Sequence, residues 1–137
     1  RLFYDPGFSC IDLTFLRADG KQWAIIKNET KFPTPAKNLR LASADSVQGP
    51  FGPLGEPFSP PGLWSEGPTA VKIGDWYMVY FEAYMKKHYC AMRSRDLKTW
   101  EDITDQVQFV APGTPERMKH GSIIAVPRGL IAQLQAR

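Results

Sequence analysis

Cysteine is scarce in this chain, with only Cys10 and Cys90 among 137 residues. Neither belongs to a Cys-x-x-Cys pair or to a Cys/His cluster with zinc-ligand spacing, which excludes a zinc module. Two cysteines allow one disulfide, although two free thiols buried on strands are the commoner arrangement. Long apolar runs are also missing. None approaches the roughly 20 residues that a membrane-spanning helix needs, so no membrane partner is expected. Basic clusters are short, with no more than two adjacent Lys or Arg, and the net charge is only +3. That leaves no footprint for nucleic-acid phosphate. An apolar leader is not expected either, because Arg1 is followed by an aromatic, turn-rich stretch. The first residue is not Met, and the chain is expected to begin inside a longer protein.

What is present points to strands and turns. Proline (12) and glycine (11) are plentiful, while hydrophobic residues (43%) and aromatics (12%) suffice for a packed core. "CIDLTFLRADGKQWAIIKNE" reads as two strands joined at Asp19-Gly20, with Ile11, Leu13 and Phe15 alternating on one face. "TAVKIGDWYMVYFEAY" repeats that design around Gly74-Asp75. "NLRLASADS" and "HYCAMRSRDLKTWE" read as third strands, each ending in a corner with a Ser and an Asp. Pro-rich loops follow both, and only "GLIAQLQAR" near the end reads as a short helix.

These units form an internal repeat. Asp12 aligns with Glu66, Gly20 with Gly74 and Trp23 with Tyr77, each 54 residues apart. Ser43 and Asp45 align with Ser94 and Asp96, 51 apart. A period near 50 with three or four strands per unit is the signature of β-propeller blades. A two-sheet sandwich is the alternative, but it does not predict matched polar corners. The expected fold is therefore all-β, with about two blades plus one strand. The units are a blade over 10–60, a blade over 63–113, and a closing strand and tail over 114–137. The first strand of a blade lines the central channel. Asp12 and Glu66 would then both face the channel mouth, as the paired carboxyls of glycoside hydrolysis must.

At these residues the sequence resembles the five-bladed propellers of glycoside hydrolase family 43, of the β-xylosidase and α-L-arabinofuranosidase type. "WSEGPTAVKIGDWYMVYFEAY" carries the resemblance most specifically, with support from "CIDLTFLRADGKQW", "LRLASADSVQGPF", "AMRSRDLKTWED" and "MKHGSIIAVP". The resemblance implies that Glu66, in its Glu-Gly-Pro corner, is a general acid. Asp12, in its Ile-Asp stretch, would tune and orient that acid. The family's general base has no counterpart here, since Asp5 lies only seven residues before Asp12 and reads as a loop acid. His120 in "KHGSI" would reach the channel floor, with a structural calcium nearby, and no cofactor is required for the reaction. The implied partner is an oligo- or polysaccharide, and the implied location is secreted or periplasmic.

The chain matches only the C-terminal part of such a propeller. A missing N-terminal half and a homodimer that completes the ring are both open. Trp64 is a candidate sugar-stacking platform, with core packing the alternative. Lys27, Glu29 and Arg40 could bind hydroxyls, but surface charge is the safer reading. Trp23, Trp76, Tyr77, Phe81 and Trp100 read as packing residues, and Lys86-Lys87-His88 as a solvated loop. A second reading from another class is a non-catalytic propeller fragment that binds sugar or protein.

Overall fold

A computed structural model describes residues 3–109 and 120–135. Its strands are β1 (Cys10–Ala18), β2 (Lys21–Asn28), β3 (Leu39–Ala44), β4 (Ser65–Ile73), β5 (Trp76–Ala83), β6 (His88–Ser94) and β7 (Glu101–Asp102). One helix, α1 (Arg128–Gln135), lies where the sequence places it. No helix among the described residues is long and apolar enough to cross a membrane. Two antiparallel sheets result, ordered β1-β2-β3 and β4-β5-β6-β7. The architecture is that of a partial β-propeller, with one blade in each sheet.

Local chemistry sets these hairpins. Asp19 (φ 52°) and Gly20 (φ 73°) both turn left-handed between β1 and β2, the geometry that two-residue hairpin loops demand. The blades then stack face to face. Ile25, Leu39, Leu41 and Phe58 of the first pack on Val79, Phe81, Ala83, Cys90 and Met92 of the second. Leu16, Ala18, Tyr77 and Leu97 extend that interface. Phe58 stacks on Trp100 at 4.3 Å. Both cysteines are free, and burial pushes each thiol above its ordinary range.

The strand register corrects the repeat. Ile11 pairs with Lys27 and Thr14 with Ile25, so Asp12 and Leu13 bulge opposite Ile26. Glu66 pairs with Glu82 and Thr69 with Tyr80, so Gly67 and Pro68 bulge opposite Phe81. The blades thus correspond at a spacing of 55 in their hairpins, not 54, and Asp12 is equivalent to Gly67. Both residues are left-handed, at φ 53° and 57°. One residue of slip exchanges the two faces of a strand.

The third strands slip likewise. Gln22 pairs with Ala44 and Tyr77 with Ser94, so Ala44 takes the place of Ser94 and Ser46 that of Asp96. The Ser-Asp corner is therefore built only in the second blade. There Ser94 Oγ accepts from the backbone N–H of Asp96 and Leu97, and Asp96 Oδ1 accepts from Lys98 and Thr99. Asp45 is almost fully exposed and lies 3.8 Å from Lys21.

The predicted closing strand and tail are described only in part. Residues 120–127 form no strand, and 114–119 lie outside the described residues. A strand needs a ladder, and here the Ile123 N–H donates to the Thr69 hydroxyl (3.0 Å), a side chain of β4.

Candidate active site

The two bulges meet across the gap between the blades. At the first, Asp12 turns its carboxylate to the second, and Oδ2 accepts the Gly67 N–H at 3.0 Å. At the second, Glu66 stands one residue before the left-handed Gly67. His120 packs onto that glycine so closely that a methyl group there would fall 2.3 Å from its ring. Ligand atoms of Asp12, Glu66 and His120 all lie within 4.8 Å of one another. The predicted acids are thus brought together, though not by occupying equivalent positions.

Glu66 is held from both sides. Its Oε2 accepts from Lys27 Nζ at 3.0 Å, and its Oε1 lies 3.4 Å from His120 Nε2. Lys27 was expected on the surface, yet its side chain is only 2% exposed. It stands on β2 facing the second blade, in line with Ile25. An ammonium so buried must be paired. Glu29 binds it at 2.9 Å, and the Tyr84 ring lies 4.8 Å from Nζ. Burial alone would pull Lys27 down, but hydrogen bonds and charge from Glu29 and Glu66 hold it above its usual range. Glu29 resists desolvation in the same way, and Lys37 and Lys27 hold it below the ordinary carboxylate range. Lys37 in turn ion-pairs with Glu29 and donates to its backbone oxygen at 3.3 Å.

Sequence reasoning missed Glu82. It is a buried acid on β5, opposite Glu66 in the ladder, with Oε2 3.7 Å from His120 Nε2. Lys27 and Glu82 fill the same rung of successive blades, 55 residues apart. The available signal was a single charge ending the apolar runs "AII" and "YMVYF".

The remaining candidates lie further out. Trp64 packs its ring on Tyr84 at 5.9 Å, with Lys37 Nζ 5.8 Å from its centre. Arg40 hydrogen-bonds Asn38 and the Gly55 carbonyl. Asp5 accepts from the Gly7 N–H as a loop acid. Burial pushes the Tyr84 phenol up.

Asp12, Glu66 and His120 form the kind of group that could hold a cation. One carboxylate oxygen of each acid is already engaged, by Gly67 and by Lys27. The other two oxygens and the imidazole nitrogen fall short of the 6–8 oxygens that calcium takes, so waters would have to complete its shell.

No known family profile and no curated protein matches this chain. Among solved structures, the fold is similar to that of CoXyl43, a GH43 β-xylosidase/α-arabinofuranosidase from a compost microbial metagenome, in complex with xylotriose and in a calcium-free form. The TM-score is 0.57 at 15% sequence identity, over 73% of this chain and 36% of that one. The likeness is one of fold, and this chain spans about a third of that protein's length.

Proposed function

We propose that this chain carries part of the active site of a glycoside hydrolase acting on xylosyl or arabinofuranosyl linkages. The observation that carries this reading is the convergence of Asp12, Glu66 and His120 at the meeting of two bulges. Glu66 acts as general acid and protonates the leaving glycosidic oxygen through Oε1, the oxygen that faces His120. Asp12 keeps the Gly67 corner in place through its bond to that N–H, and adds a second negative charge beside the acid. His120 and Trp64 contact the sugar, the imidazole beside Glu66 and the indole further out, beside Lys37. Inversion needs a base carboxylate about 6.5–9.5 Å from the acid, with water between them. That base is supplied by another part of the full gene product or by a second copy. A structural calcium beside His120, with waters in its remaining positions, belongs to the same proposal.

The full gene product should therefore release xylose or arabinose from oligosaccharides. Glu66→Gln should lower kcat by about 10²–10⁴-fold with the fold intact, the usual worth of general-acid assistance. Circular dichroism and a reducing-sugar assay check both halves, and unchanged turnover in this variant rejects the role.

One observation favours a second reading, a non-catalytic sugar-binding or protein-binding propeller fragment. Glu66 Oε2 is engaged by a buried lysine, as in a purely structural ion pair between blades. Xylotriose binding without hydrolysis would select that reading.

A further inference from the structure

We propose that Lys27 is a positioning residue for Glu66: it pins Oε2 and so aims Oε1 at His120, where the two bulges meet. The proposal rests on the hydrolase reading for its kinetic consequence, but not for its geometry.

A glutamate has three rotatable side-chain bonds, and an unrestrained one sweeps its carboxylate through several ångströms. Glu66 cannot do so while Lys27 Nζ holds Oε2 at 3.0 Å. The lysine is itself fixed. It is buried, and Glu29 takes its second hydrogen bond at 2.9 Å. Lys37 ion-pairs with Glu29. The Lys37 carbonyl also accepts the N–H of Ser65, the residue just before Glu66, at 2.9 Å. The side-chain clamp and the main chain of Glu66 are thus tied to one frame.

The charges alternate along this frame. Lys37, Glu29, Lys27 and Glu66 balance two positive against two negative, so no charge within it is left uncompensated in the blade gap. An apolar pair would join the blades equally well. What a lysine adds here is a fixed donor behind Glu66, the member of the frame that faces His120.

Lys27→Met, at nearly the same volume, removes the donor. In the full gene product, kcat on xylotriose should fall about 10²-fold, the scale of a misplaced catalytic group, with KM changed by no more than about threefold. Because Lys27 acts through Glu66, the variant carrying both Lys27→Met and Glu66→Gln should be no slower than Glu66→Gln alone. A kcat for Lys27→Met within about threefold of the parent, or multiplying losses in the double variant, overturns the proposal. If Lys27→Met fails to fold, Lys27→Gln tests the same contact, since its amide donates but is one bond shorter and cannot hold Oε2 at the same distance. Kcat should then be lowered less, with KM again little changed, and a kcat equal to the parent's overturns the proposal.

A crystal structure of the folded variant separates this proposal from the hydrolase reading. Displacement of the Glu66 carboxylate by about 1 Å or more supports positioning even in a protein that cleaves no sugar. A Glu66 that keeps its place without Lys27 refutes positioning even in an active enzyme.

Discussion

Gly67 has no room for a methyl group. A Cβ there would sit 2.3 Å from His120 Cδ2 and 2.7 Å from Cγ, on a backbone at φ 57°. Only glycine takes that conformation without strain, which costs other residues about 1–2 kcal/mol. Gly67→Ala should therefore lower unfolding free energy by about 2 kcal/mol and drive His120 from Glu66, measured by urea denaturation and by the imidazole's NMR shifts. Unchanged stability with unshifted resonances would contradict that close packing. Glu66 and Asp12 stand out in the sequence as acids near the starts of the two repeated units and in stretches that resemble the family's. Lys27 and Glu82 were not, because a charge on a strand is ordinarily read as solvated. Only the register shows that both point into the packed sides of their blades.

Element by element, the strands, hairpin turns and short helix follow from apolar alternation and from the Asp-Gly and Gly-Asp pairs. Aligning Gly20 with Gly74 makes the repeat one residue short, because the turns run Asp19-Gly20 and Gly74-Asp75 and Asp19 is the counterpart of Gly74. Asp12 still reaches Glu66, since its left-handed backbone turns the carboxylate toward the second bulge. The Ser94–Asp96 corner offers a test at this scale. Backbone hydrogen bonds from Thr99 and Lys98 lower Asp96 to about 2, from an ordinary 3.8. The folded value lies below the unfolded one. The corner's contribution is therefore present above pH 3.8 and is lost as pH falls toward 2. Asp96→Asn should lower the urea midpoint at pH 6 and differ little from the parent near the folded value. A gap of equal size at both pH values would contradict the corner's role.

At the scale of the whole molecule, the first blade keeps an open apolar face. Ile11, Leu13 and Phe15 are 44%, 43% and 37% exposed, with Phe3 and Phe51 packed against Phe15. In the second blade the corresponding Pro68 is buried and Ala70 packs into the interface with the first. We propose that this face associates with a further blade, from a longer chain or from a second copy. Scattering should show association of this chain at micromolar concentration, relieved by Leu13→Asp with Phe15→Ser. A compact, stable wild-type monomer would contradict that expectation. The blades are legible in the sequence, whereas the open face of β1 shows only in the exposure of Ile11, Leu13 and Phe15. The function turns on whether Glu66 delivers a proton to a departing sugar oxygen. The most direct measurement compares the parent and Glu66→Gln on xylotriose and on nitrophenyl xyloside, whose leaving group needs little protonation. A general-acid role for Glu66 predicts a loss of about 10²–10⁴-fold on xylotriose and a much smaller one on the aryl xyloside. Equal losses on both substrates, or none on either, would contradict it.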